Sequence, residues 1–255
     1  KKNNINLIIN SFFPSYKLNK ISNYEVFINK AILDITKILN VFPAKKINKI
    51  IFTSSSSVNF LDKISLNQSK YTNREIYSLT KILCEKIIIK FSKNNNIQYI
   101  ITRPYNIYGG DETFSMIYKI IKSYKMKEIL TINNNGQAVR DFIHVDDVAK
   151  IYKNILKSKS NKTYEIGNGY GYKIKDIIIA LGVKNFKIKN KFLPEQNISI
   201  AKLEDSIITK NHKSLECKLS KYLKQKIKIK KDFKISKMYE NNDYLHGNRI
   251  QGAII

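Results

Sequence analysis

Short isoleucine-rich runs alternate with longer runs of helical period through the first 110 residues, and few folds accept that alternation. "INLIINSFF" (5–13) reads as a strand, and "SNYEVFINKAILDITKILNVF" (22–42) as a helix entered through Ser and Asn. "INKIIFTSSS" (47–56) is a second strand, running into a serine turn. A long helix around "EIYSLTKILCEKIII" (75–89) follows, then the strand "IQYIITR" (97–103) and the loop "PYNIYGGDET" (104–113). This βαβαβ order predicts an α/β fold, a doubly wound parallel sheet with helices on both faces. Such sheets bind ligands beyond the carboxyl ends of their strands, where "TSSSS" and "RPYNIYGG" fall.

Beyond residue 113 the pattern becomes mixed. "FSMIYKIIKSYKM" (114–126) predicts a helix, and "EILTINNNGQAVRDFIHV" (128–145) two β-like runs around an Asn–Gly turn. "HVDDVAKIYKNILKS" (144–158) predicts a helix capped by Asp146 or Asp147, and "KTYEIGNGYGYKIKDIIIALG" (162–182) a strand, a glycine turn and a helix. The basic stretch "KLSKYLKQKIKIKKDFKISK" (218–237) has an alternating part that reads as an edge strand with Lys toward solvent.

Composition removes several function classes. No run approaches the roughly 18 apolar residues that span a bilayer, and the start "KKNNINLIIN" has no signal-peptide core, so the expected location is the cytoplasm. Cys84 and Cys217 have no metal-ligand spacing, and the three histidines, His144, His212 and His246, are far apart, so no metal site is expected. The net charge of +26 suggests nucleic acid, but the excess is almost all Lys dispersed among Asn and Ile. Arg stands only at 74, 103, 140 and 249, so neither a nucleic-acid nor a membrane partner is expected.

Tyr77 and Lys81 lie four apart on the long helix, one above the other on the same face. A phenol titrates near ~10, and an adjacent ammonium favours the phenolate, so this spacing can make a general base. The same spacing also arises by chance on a solvated face, because the chain carries 16 Tyr and abundant Lys.

Four ordered segments carry a resemblance: "FTSSSSV" (52–58), "YSLTK" (77–81), "RPYNIYGG" (103–110) and "GQAVRDFIHVDDVA" (136–149). Together they resemble the extended short-chain dehydrogenase/reductases, the NAD-dependent nucleotide-sugar epimerase/dehydratase family, over roughly residues 5 to 182. The resemblance implies that Tyr77 is the catalytic base and that Lys81 lowers its pKa while touching the nicotinamide ribose. Ser55 then holds the reacting sugar oxygen, as chemistry that takes a hydride and a hydroxyl proton from one carbinol requires. Asn29 resembles the helix asparagine that supports such a site, with a solvated polar residue as the alternative. Pro104 and Ser11 fall beside the cofactor, and Arg140 and Asn106 meet the substrate diphosphate, a task suited to a guanidinium fork.

Arg103 reads equally as a structural ion pair, His144 as a core residue, and Asp146 and Asp147 as helix caps. The implied cofactor is NAD, NADP not being excluded, and the implied partner a nucleoside-diphosphate sugar bound by a homodimer. The implied domains are residues 1–112, the C-terminal part of a Rossmann-type domain, and 113–255, mainly a smaller mixed α/β substrate-binding region, with 138–166 partly returning to the first.

The chain departs from that family in three places. No glycine precedes Gly109, so the glycine-rich turn that cradles the pyrophosphate is missing and the chain reads as starting partway through the dinucleotide domain. "SVNF" (57–60) replaces the usual Tyr–Gly, and "NNNG" (133–136) has one glycine where two are common. Dehydratases of the family resemble one another in an acidic pair after the threonine of the serine turn, but Ser54 and Ser55 follow Thr53 here. The resemblance therefore implies C4 epimerisation, as in polysaccharide biosynthesis, with a reductase or dehydratase of the same family as the alternative. An inactive remnant and a non-enzymatic basic binding module are the rivals from other classes.

Overall fold

The computed structural model describes residues 5–10, 23–63, 71–159, 161–181, 188–191, 198–201, 212–228, 235 and 239–240. Two compact units divide the chain: residues 1–104 with 152–165, and residues 105–151 with 166–255.

The first unit is built on strands β1 (Ile5–Ile9), β2 (Ile47–Thr53), β3 (Gln98–Pro104) and β7 (Lys162–Ile166), in the order β1-β2-β3-β7. β2 is parallel to β1 and to β3, with Thr53 opposite Thr102. Helix α1 (Tyr24–Leu39) starts where the Asn23 side chain accepts the Val26 N–H, and it buries Ala31, Ile35 and Leu39, a stripe at i, i+4, i+8. Helix α2 (Asn73–Asn94) starts at a reciprocal Thr72–Glu75 capping box. Its Cys84 and Ile88 join α1 over Ile50, Phe52 and Ile101 of the sheet.

Alternation sends Lys49 and Thr53 of β2 to the opposite face, where the second half of helix α4 (Val145–Lys157) lies. Tyr152 of α4 bonds the hydroxyls of Thr53 and Thr102, each at 2.6 Å. The Lys49 ammonium, 3% exposed, donates to the carbonyls of Leu156 (2.8 Å) and Ser158. A lysine in the middle of a buried strand thus terminates a helix, supplying cations where carbonyls are left over. Helices cover both faces, as a doubly wound sheet requires.

The second unit holds β4 (Asn106–Tyr108), β6 (Val139–His144), β8 (Tyr170–Lys173), β10 (Ile198–Ser199) and β11 (Tyr239–Glu240), with β6 paired to β4, β8 and β10. Strands β5 (Leu130–Asn133) and β9 (Ile188–Lys191) form a separate pair. Its core gathers Ile117, Ile120 and Ile121 of α3 (Met116–Met126), Ile174 and Ile177 of α5 (Ile174–Ala180), and Leu219 and Leu223 of α6 (His212–Ile227).

Local details differ from the sequence reading for identifiable reasons. Residues 106–108 are a strand inside the expected loop, because β4 pairs with β6. The two runs flanking the Asn–Gly turn form no hairpin: Asn134, Asn135 and Gly136 all take positive φ (48°, 53° and 70°), and β5 and β6 enter different sheets. The expected single strand after 162 is two, β7 and β8, divided around Gly169. The basic stretch is helical through Ile227, where Leu219, Leu223 and Ile227 at i, i+4, i+8 fill the core, and its alternating remainder lies outside the described residues. Asp146 and Asp147 sit in the first turn of α4, and the backbone N–H of Asp146 is accepted by His144 Nδ1 instead. No described helix is long and apolar enough to cross a membrane.

Candidate active site

Strand β2 ends at Thr53, and the chain turns there through four serines, Ser54 to Ser57, into a 3-10 turn that begins at Ser56. Ser57 donates twice to Ser55 Oγ, from its amide (3.2 Å) and from its hydroxyl (3.0 Å). Those bonds engage the Ser55 oxygen as an acceptor, and the Ser55 side chain acts on the nearby Tyr77 phenol to lower its pKa. A donor aimed at a phenol oxygen stabilises the phenolate. Ser54 is buried, and its Oγ has no hydrogen-bond partner among the described residues.

Tyr77 and Lys81 face this turn from α2, 8% and 3% exposed. The Lys81 ammonium donates to the Thr53 carbonyl at 3.1 Å and lies 5.2 Å from the Phe52 ring centre and 5.6 Å from that of Tyr77. The helical spacing therefore does bring Ser55, Tyr77 and Lys81 together. It does not act on the phenol as the spacing alone suggested. Burial pushes Tyr77 up to about 12, opposed by Ser55, while burial pulls Lys81 down to about 8, opposed by Cys84 and Glu85. The ammonium faces the ring, and the group that favours the phenolate is the serine.

The remaining sequence candidates are scattered. Pro104 ends β3, half-buried. Asn29 is exposed on α1. Ser11 lies outside the described residues. In the second unit, Asn106 and Arg140 occupy adjacent strands: Asn106 Nδ2 donates to the Asp141 carbonyl at 3.0 Å, and Arg140 Nη1 to the carbonyl of Val139 at 3.0 Å. Arg103 is a structural ion pair, bidentate to Glu85 through Nη2 (2.7 Å) and Nε (3.0 Å). His144 is partly buried, edge-on to Tyr108 at 5.1 Å and to Tyr222 at 5.5 Å, with its pKa lowered by burial.

Asp141 was not among the sequence candidates. It is fully buried, and its carboxylate accepts the N–H groups of Asn168 (2.8 Å), Gly169 (2.8 Å) and Ala201 (3.2 Å). A Cβ at Gly167 would stand 2.5 Å from its Oδ2, so only glycine lets the chain pass. The signal was the "GNG" at 167–169, a tight approach whose partner the sequence does not name. Tyr152 was also missed, since an aromatic residue on a helix is read first as core. No group of three or more His, Cys, Asp or Glu among the described residues is arranged to hold a metal.

Known proteins place this geometry. Residues 1–167 match the model of the NAD dependent epimerase/dehydratase family. A CDP-abequose synthase of Salmonella typhimurium is 30% identical over 116 residues, 44% of this chain and 39% of its own length. A dTDP-D-glucose 4,6-dehydratase of Dictyostelium discoideum is 25% identical over 203 residues, 74% of this chain and 46% of its own length. The chain thus spans less than half the length of either relative. A solved UDP-N-acetylglucosamine 4-epimerase of Methanobrevibacter ruminantium, in complex with UDP-N-acetylmuramic acid, superimposes with a TM-score of 0.64 at 20% identity, over 88% of this chain and 76% of its own. That likeness is one of fold. The three relatives are named for three different reactions, so the likeness fixes the family and leaves the reaction to the site. With two thirds of its length matched by the family model, the chain belongs to the NAD dependent epimerase/dehydratase family.

Proposed function

We propose that this protein epimerises a nucleoside-diphosphate sugar at C4, with NAD as the cofactor. The observation that carries the reading is the gathering of Ser55, Tyr77 and the Lys81 ammonium at the carboxyl end of β2. Oxidising a carbinol removes a hydride and a proton. The cofactor, when bound, takes the hydride and returns it; the protein must manage the proton. Tyr77 and Ser55 address one sugar oxygen, Tyr77 taking its proton on oxidation and giving it back on reduction. Burial favours the protonated phenol, so Tyr77 must first release its own proton to solvent before it takes the sugar's, and Ser55 lowers the cost of that ionised form.

The residues present fit the nicotinamide side of NAD. A buried ammonium stands behind the phenol, and the Ser54 hydroxyl, buried without a partner among the described residues, offers a further polar contact. Lys81 and Tyr77 are assigned to the nicotinamide ribose, Pro104 to the loop beside the ring, and Asn29 and Ser11 to supporting roles. Arg140 and Asn106 are assigned to the diphosphate of the substrate. Elimination of water is disfavoured because no carboxylate occurs anywhere from Ser54 through Ser57. A homodimer accords with the apolar side chains left exposed on α1 and α2, Val26, Leu33 and Leu83.

Tyr77→Phe tests the proposal. The phenyl ring keeps the packing, so thermal unfolding should move little, while interconversion of UDP-glucose and UDP-galactose, followed in the presence of NAD, falls by about 10²- to 10⁴-fold. Wild-type turnover in a folded variant would remove Tyr77 from the mechanism.

A further inference from the structure

The peptide that joins Thr53 to Ser54 is held at both of its polar ends. Its N–H, on Ser54, donates to the Thr102 carbonyl of β3 at 2.7 Å, and its C=O, on Thr53, accepts the Lys81 ammonium at 3.1 Å. A trans peptide is planar and points those two groups in opposite directions, so fixing the first aims the second. The pairing of β2 with β3, however, ends at Thr53 and Thr102, and the ends of elements open more readily than their middles. Side chains close this end. Tyr152 bonds Thr53 Oγ1 and Thr102 Oγ1, each at 2.6 Å, and Thr102 Oγ1 donates to the Phe52 carbonyl at 3.2 Å. A carbonyl can only accept, so the one hydroxyl proton of Thr102 is committed there. Tyr152 therefore donates to Thr102, and Thr53 donates to Tyr152. The hydroxyls form a chain with one direction, Thr53 to Tyr152 to Thr102 to the Phe52 carbonyl, and all four residues belong to the first unit.

We propose that Tyr152 is a positioning residue: its hydroxyl ties Thr53 to Thr102 and thereby holds the Thr53 carbonyl where it receives the Lys81 ammonium. Packing alone does not call for a hydroxyl here. A phenylalanine would fill the same space with no O–H to satisfy, and a valine would do the same at Thr102, which has no solvent exposure. Hydroxyls buried together are tolerated when each finds a partner, and this set does so completely. Its location is informative as well. The preceding pairs of the two strands, Ile51 with Ile100 and Phe52 with Ile101, are apolar. The polar link stands only at the last pair, next to the carbonyl that Lys81 uses and two residues before Ser55. The importance of Lys81 to turnover rests on the function proposed above; the position of its ammonium does not, so the two can be tested apart.

Tyr152→Phe removes one oxygen and keeps the ring, and thermal unfolding shows whether the variant is folded. The full chain is labelled with ¹³C-lysine, and the ε-methylene signal of Lys81 is identified by its loss in Lys81→Arg. While the ammonium is held, its two ε protons lie in different surroundings and give separate shifts. In Tyr152→Phe those shifts should collapse toward one averaged value, as rotamer exchange sets in. The kcat for UDP-glucose should fall about tenfold, in keeping with about 100-fold for a misplacement of about 1 Å, while KM stays within about twofold. Thr53→Val removes the same link from its other end and should reproduce both effects, and the double variant should be no worse than either single one. Unchanged, separate ε shifts in folded Tyr152→Phe overturn the proposal whatever kcat does, because the ammonium is then held without the tyrosine. If that variant does not fold, unchanged shifts in Thr53→Val overturn it instead. Collapsed shifts with an unchanged kcat uphold the positioning role and remove Lys81 from the mechanism.

Discussion

Two regions of this molecule bury charge equally deeply and handle it in opposite ways. At Asp141 a carboxylate with no solvent exposure accepts three backbone N–H groups, from Asn168, Gly169 and Ala201. Backbone donors are fixed by the fold, and they stabilise the carboxylate in place. Around Lys81 the opposite holds. An ammonium 3% exposed donates to the Thr53 carbonyl and lies near the Phe52 and Tyr77 rings, and burial lowers its pKa to about 8. A carboxylate held by fixed backbone donors builds structure, whereas an ammonium whose pKa burial draws toward neutral is available for chemistry. The difference between the two regions lies in their partners, since their burial is the same.

The contrast is broken most severely at Asp141. Asp141→Ala leaves the Asn168, Gly169 and Ala201 amides without their acceptor in the core of the second unit, and the expected loss is about 3–5 kcal/mol of unfolding free energy. Urea denaturation measures it. A loss under about 1 kcal/mol would show that water or another group replaces the carboxylate at little cost.

Much of this was legible in the sequence because it is local. The alternation of "INKIIF" and "IQYIIT" with two helical runs predicts the parallel strands β2 and β3, and four-residue spacing places Tyr77 beside Lys81. Non-local facts were hidden. Asp141 and its donors are 27, 28 and 60 residues apart in sequence, Lys49 bonds carbonyls more than 100 residues away, and Asn59 meets Glu165 across 106. No periodicity encodes such pairs. The direction of the Tyr77 shift was misread for a related reason: spacing shows which groups are near, but the burial that dominates the titration depends on the whole core.

The Lys81 side of the comparison is sharpened by Lys81→Met. Its fall from 10.5 to about 8 corresponds to roughly 3 kcal/mol of penalty for holding the charged form in the fold. Between those values the unfolded chain binds the proton and the folded one does not, so stability rises with pH across that window. The penalty is complete below about 8 and gone above about 10.5. Methionine removes it and gives up the bond to Thr53, worth about 1 kcal/mol, so the variant should be more stable than the parent by about 2 kcal/mol at pH 7. That advantage should disappear by pH 10, while turnover is lost throughout. A variant less stable than the parent at pH 7 would mean that Lys81 is as fully satisfied as Asp141.

The smallest effect is expected at Arg140, next to the structural carboxylate on β6. Arg140→Lys keeps the positive charge and the strand, and Asp141 keeps its three amides, so unfolding should be unchanged within about 0.5 kcal/mol. What changes is the donor geometry, because a single ammonium replaces a planar fork that can meet two phosphate oxygens. If Arg140 holds a diphosphate, as proposed, the dissociation constant for UDP measured by calorimetry should rise about tenfold, close to 1.4 kcal/mol. The KM for the nucleotide sugar should rise by a similar factor, with kcat nearly constant, since the reacting carbon is distant from the diphosphate in covalent connectivity. Equal affinity of parent and variant for UDP would remove Arg140 from the substrate site and leave it, like Asp141, a residue of the scaffold.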